Sequence, residues 1–163
     1  MNHTIKSITN HEEKYLTFSL AGEEYGVRIL KVKEIIGMMP ITPLPKTPRF
    51  VRGVINLRGK VIPVIDLKVK FGLQEAEPIE KTCIIVMEIQ RKKEAISMGI
   101  MVDSVSEVIS IKASDIEAAS NFGFVEGNDY IQGMAKLNGR VKILLNIENI
   151  LLPRGNGVAD EEA

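Results

Sequence analysis

Apolar and polar residues alternate with a period of two along much of this 163-residue chain, the pattern of strands that turn one face to a core. Leu16, Phe18 and Leu20 interleave with Thr17 and Ser19, which predicts a half-buried first strand. The turn AGEE leads to a second strand with Tyr25, Val27 and Ile29 on one face. From Leu30 two readings stand together. Ile29, Val32 and Ile36 fit a helical stripe, whereas Leu30, Val32 and Glu34 fit continued strand, so LKVKEII is a strand end or a single helical turn. Pro40, Pro43, Pro45 and Pro48 follow. Each fixes its own φ and pushes its predecessor toward extended geometry, which makes the segment a stiff connector. The spacing also fits a PxxP ligand, a reading disfavoured by its place between strands.

A hairpin then turns at Arg58-Gly59, and Asp66 can cap a helical turn closed by Gly72. After GLQEAEPIEK the pattern restarts: a strand over residues 83–89, a charged turn QRKKE, and a return along residues 96–111, with Gly99 where the earlier half has Gly26. Ser114 and Glu117 have capping-box spacing for a brief helical turn. Asn138-Gly139 is a favoured pair for a tight two-residue hairpin, and Pro153 ends a short last helix before the acidic tail NGVADEEA.

The restart is a repeat. Residues 50–67, FVRGVINLRGKVIPVIDL, return 80 positions later as YIQGMAKLNGRVKILLNI, with Gly53 on Gly133, Leu57 on Leu137, Gly59 on Gly139 and Asp66 on Asn146. A shorter echo, offset by 73, sets Val32, Glu34, Ile35 and Ile36 against Val105, Glu107, Val108 and Ile109. Two lobes are therefore expected, with a flexible leader over residues 1–14, a first lobe over 15–78, a second over 79–152, and a flexible tail over 153–163. Strand exchange between the lobes stays open. A lobe of this size buries only about 60% of its unfolded surface, so an apolar contact shared between lobes is expected to help hold both.

Composition sharpens this picture. Ile and Val together number 36 against 12 Leu, which favours pleated sheet, and the chain reads as all-β with short helical turns and a short C-terminal helix. Lys plus Arg balance Asp plus Glu at 21 each, and no stretch concentrates one sign, so nucleic acid is not an expected partner. The longest apolar runs are far short of a bilayer span and no secretory signal is visible, so the protein is expected in the cytoplasm without inserting into a membrane. Candidate chemistry is scarce. The two histidines, His3 and His11, fall in the expected leader, and the lone Cys83 sits in the run CIIVM as strand filling. No nucleophile set, zinc site or cofactor is expected. GVINLRGKV resembles a phosphate loop superficially, but its glycines are one residue too far apart and Val61 occupies the magnesium-ligand position.

Four segments, EEYGVRILKVKEI, TPRFVRGVINLRGKVIPVIDLKVKFG, GIMVDSVSEVI and ILLNIENIL, together resemble the CheW family of chemotaxis coupling proteins, over residues 15–152. The resemblance implies two pseudo-repeated five-stranded SH3-like barrels packed together. It also implies a non-catalytic adaptor that joins chemoreceptor cytoplasmic tips to the regulatory domain of the chemotaxis histidine kinase, and recruitment to membrane receptor arrays through those partners. By the same resemblance the receptor contact falls on Val32, Glu34, Arg58, Val105 and Val108. Read from the residues alone, Arg58 is an exposed turn residue, Glu34 a solvated strand-end charge and the three valines core. Gly53, Gly59 and Gly139 are expected as backbone necessities of the hairpins. The alternative function is a small-molecule sensor with its pocket in the groove between the lobes.

Overall fold

The computed structural model describes residues 11–122 and 129–152; the first ten residues of the expected leader and the whole expected tail lie outside them. The strands are β1 (Glu12–Leu20), β2 (Glu23–Arg28), β3 (Val32–Gly37), β4 (Val51–Leu57), β5 (Lys60–Asp66), β6 (Cys83–Arg91), β7 (Glu94–Val102), β8 (Ser104–Lys112), β9 (Ile116–Ala118), β10 (Ile131–Leu137) and β11 (Arg140–Leu145). Short helices α1 (Leu67–Lys70) and α2 (Ile147–Leu151) follow β5 and β11. Asp66 caps α1 by accepting from the Lys68 and Val69 amides, and Asn146 caps α2 by accepting from Asn149 N. Both readings of LKVKEII hold in part, since a 3-10 turn over Ile29–Lys31 feeds directly into β3. The capping box at Ser114 does not form. Ser114 lies inside a 3-10 turn that has no side-chain cap, and Glu117 is in β9, paired with Met134. Nor is the return strand continuous, because Asp103 divides β7 from β8.

Two mainly antiparallel sheets form two SH3-like lobes. One has the order β8-β1-β2-β11-β10-β9 and the other β3-β6-β7-β5-β4. The repeat maps one order onto the other: β3 on β8, β6 on β1, β7 on β2, β5 on β11 and β4 on β10. The match extends to single residues. Gly26 lies between Thr17 and Leu144, and Gly99 between Val86 and Val64, each with one antiparallel and one parallel neighbour. Bulges recur at Lys33 and Ser106, and again at Arg52 and Gln132.

Each lobe draws on both halves of the chain. The first hairpin of either repeat, β1–β2 or β6–β7, sits in the sheet whose remaining strands come from the other repeat. The exchange is clamped at corresponding corners with the charges reversed. Lys68 reaches Asp103, between β7 and β8, at 2.9 Å, and Glu148 reaches Lys31, between β2 and β3, at 2.5 Å. Asp103 also accepts from Ala21 N at 2.8 Å, fixing the tip of the β1–β2 hairpin.

The exchange buries β1 and β6 on both faces, so β1 is not the half-buried strand its alternation predicts. Leu16, Phe18 and Leu20 face a core shared with Ile85, Met87, Ile89 and both short helices, while Tyr15 faces a separate small core with Ile111, Ala135 and Leu144. The other lobe has its own cluster of Ile55, Ile62, Val64, Ile84, Val86 and Met101. An aromatic file of Phe18, Tyr25, Phe71 and Tyr130, with centroids 5.7–6.1 Å apart, flanks the shared core. Lys70 lies 3.8 Å over Phe50 and 5.9 Å from its repeat partner Tyr130, where desolvation pulls its pKa down.

Gly53 is not at a turn tip. It lies within β4 at φ +138, where a Cβ would stand 2.1 Å from the Thr42 carbonyl oxygen, whereas Gly139 at φ +76 faces open space. Gly53→Ala is expected to cost about 3 kcal/mol from clash plus backbone strain, and Gly139→Ala about 1 kcal/mol from strain alone. Urea unfolding of the two variants checks the ratio.

Glu24 is held by Lys142 and by the Ser106 hydroxyl at 2.8 Å, and the Lys142 hydrogen bond, opposed by desolvation, holds its carboxyl below the usual 4.5. A depressed folded-state pKa stabilises the fold above the ordinary value and loses that contribution as pH falls through the folded one. Wild type should therefore exceed Glu24→Gln by about 1 kcal/mol at neutral pH, and the gap should close on acidification, as read from urea midpoints at pH 7 and pH 3.

Candidate partner-binding surface

The β4–β5 hairpin turns through Arg58 at φ +51 and Gly59 at φ +89, two left-handed residues in succession, as a two-residue primed turn requires. The Asn56 carboxamide oxygen accepts from Gly59 N at 2.8 Å and braces the turn. The repeat has Asn138 at φ +52 and Gly139 in the same places. Asn tolerates this backbone well and Arg does not, so Arg58 occupies a position where another residue would fold with less strain. Its guanidinium is largely exposed and pairs with the Glu34 carboxylate. Glu34 lies on β3, at the opposite edge of the same sheet, so this contact spans the curl of the lobe.

The other expected contact residues divide. Val108 on β8 is 49% exposed, but Val32 and Val105 are half-buried and pack against the shared core. Those two valines carry structure as well as any surface role. The structure adds positions that alternation alone did not single out. Ile35 is 44% exposed and is the repeat partner of Val108, while Val61 and its partner Val141 are 65% and 52% exposed. Both lobes thus present apolar side chains at two corresponding places. The signal was available in the sequence as apolar residues conserved in character between the repeats but placed on the solvent side of edge or tip positions.

Elsewhere the surface is tied up in the fold. Asp66 is 1% exposed and bonded to Arg52 at 3.2 Å, which in turn reaches Glu75 at 3.2 Å. Cys83 is half-buried against the shared core, and burial pushes its thiol pKa up, away from thiolate character. At the lobe junction, the cavity between Arg28, Lys31, Asn146 and Glu148 has a volume of about 90 Å³, well below the roughly 300 Å³ from which metabolite sites begin. No helix among the described residues is long and apolar enough to cross a membrane.

Residues 14–152 match the family model of the CheW-like domain. The chain belongs to the CheW-like family. Chemotaxis protein CheW of Klebsiella aerogenes is 39% identical over 151 residues, covering 93% of this chain and 89% of the relative. Chemotaxis protein CheW of Bacillus subtilis is 34% identical over 151 residues, with the same coverage of 93% and 89%. Among solved structures, the scaffolding protein TtCheW from Thermoanaerobacter tengcongensis superposes with a TM-score of 0.77 at 36% identity, covering 88% of this chain and 95% of that one. The resemblance read from the four segments is therefore correct, and this CheW-like chain is a chemotaxis scaffold protein with the double β-lobe architecture expected of it.

Because the Arg58–Glu34 pair is exposed on the Arg58 side, its contribution to stability in this CheW-like fold should be under about 1 kcal/mol. Arg58→Asn, which installs the residue found in the second copy of the turn, should leave the melting temperature unchanged or raise it by a few degrees. A fall of more than about 5 °C in calorimetry would show that Arg58 is a structural residue.

Proposed function

We propose that the chain is a non-catalytic adaptor that couples chemoreceptor cytoplasmic tips to the regulatory domain of the chemotaxis histidine kinase. It would work in the cytoplasm and reach receptor arrays through these partners. The observation that carries the reading is the recurrence of exposed apolar residues at matched positions, Ile35 with Val108 and Val61 with Val141, on opposite lobes. Exposing such side chains is unfavourable unless something covers them, and their repetition gives the molecule two similar docking ends. A partner built as a double lobe of the same kind can meet these ends head to tail, and such contacts close into rings when the rotation permits. The balanced charge leaves affinity to apolar burial, with charged groups setting register.

The receptor contact is assigned to Arg58, Glu34, Val32, Val105 and Val108. Two features of the geometry support a role for Arg58. It accepts a strained backbone that Asn would relieve, and strain retained at an exposed position fits a site selected for contact over stability. Its guanidinium also has the fork geometry to exchange Glu34 for a carboxylate of a receptor helix. Coupling then lies in differential contacts made with the receptor in its signalling states.

Mixing the full chain with a kinase regulatory-domain fragment and a receptor cytoplasmic fragment should give a ternary complex by size-exclusion chromatography. Arg58→Glu should weaken receptor binding by about tenfold or more in calorimetric titration, leave kinase binding unchanged, and leave the melting curve intact. No binding to either fragment at tens of micromolar, or consumption of a substrate by the purified chain, would overturn the proposal.

A further inference from the structure

The two lobes are not equally filled. In the five-stranded lobe, Ile55 and Met101 are buried in the interior, and Met38, Met39 and Ile41 pack over them. The corresponding end of the six-stranded lobe has one smaller, one charged and one shape-changed side chain. Ala135 stands where the repeat has Ile55, Arg28 where it has Met101, and Ile111 where it has Met38. At this end lies a cavity of about 450 Å³, within the usual range of small-molecule sites, lined by Ile111, Ala113, Ile116 and Ala118 and edged by polar groups.

Those polar groups form one chain of contacts. Gln132 Nε2 donates to the Tyr15 hydroxyl at 2.9 Å, that hydroxyl faces Glu13 Oε1 at 3.5 Å, and Arg28 Nε lies 3.3 Å from the same Glu13 oxygen. Tyr15 is fully buried, which fixes the middle of the chain. At the mouth, His11 Nε2 is 3.9 Å from Glu13 Oε2. These contacts engage Arg28 through Nε, Glu13 through Oε1 and Gln132 through Nε2. The rim therefore carries a guanidinium, a carboxylate and a carboxamide side by side, next to an apolar wall.

We propose that this cavity binds a small zwitterion with an apolar side chain, namely an α-amino acid of the leucine class. A bare anion would gain the Arg28 fork but face the Glu13 carboxylate, and a bare cation would meet the converse. An α-amino acid satisfies both. Its carboxylate takes the outer edge of Arg28, its ammonium donates to Glu13 Oε2 and Gln132 Oε1, and its side chain covers Ile116, Ala113 and Ala118. The site lies within one lobe, apart from Arg58 and Glu34 in the other, so binding here and partner docking can be measured separately.

The probe is L-leucine, titrated into the full ¹⁵N-labelled chain. Amide shifts at Ile111, Ala118 and Gln132 are expected to saturate, while leucinol, lacking the carboxylate, and 4-methylpentanoate, lacking the ammonium, should bind at least about tenfold more weakly. Arg28→Met, which copies the filled lobe, should abolish the saturation without lowering the melting temperature. Ala113→Leu, which occupies the cavity from the wall, should do the same and carries the test if Arg28→Met fails to fold. No saturable shift with L-leucine below about 10 mM, equal responses to all three compounds, or undiminished affinity in the folded variants would overturn the assignment.

Discussion

The apolar layer between the lobes is the contact on which the rest of the structure depends. Among the described residues it contains fifteen buried side chains, against six and four in the separate interiors of the two lobes. Neither small interior can offset the conformational entropy of its own lobe, so most of the hydrophobic stabilisation lies in the joint. Most of the layer is supplied by one face of β1, one face of β6 and both short helices, with Leu16, Phe18 and Leu20 meeting Ile85, Met87 and Ile89. Strands that serve this layer and a lobe interior at once cannot leave either. The lobes therefore act as one mechanical body, and their outer surfaces hold a fixed relative orientation.

Division of labour among residues follows from that joint. Groups close to it are committed to the fold: Asp66 to capping α1, Asp103 to the hairpin tip and to Lys68, and Val32 and Val105 to packing. Exposed side chains are released from that duty, and Arg58, Val61, Val108 and Val141 stand out from the packed layers. The exposed Arg58–Glu34 pair bridges two strand edges without contributing much energy, so it can be broken and remade against another carboxylate at small cost.

Much of this was legible in the chain itself. The hairpins, the Asp66 cap and the proline connector followed from turn residues, period-two alternation and the repeat, and the family from the likeness of four segments. Three things did not follow. Burial of β1 on both faces was hidden because alternation records only which residues differ, and Thr17 is buried despite its hydroxyl by bonding to the Glu107 backbone at 3.0 and 3.2 Å. The failed capping box at Ser114 reflects pairing of Glu117 with β10, a tertiary contact that overrode a local motif. The cavity in the six-stranded lobe depends on the difference between Ala135 and Ile55 at matched positions, which acquires meaning only when both lobes are seen in space.

The reciprocal exchange of first hairpins also bears on how such a molecule could arise. A single repeat on its own would have its β1–β2 hairpin separated from the sheet that needs one, with an open edge and half of an apolar layer facing water. It could be completed only by a second copy offering the same hairpin in return. The chain thus has the form of a hairpin-swapped pair of repeats joined end to end, and the reversed polarity of Lys68–Asp103 and Glu148–Lys31 distinguishes the two halves.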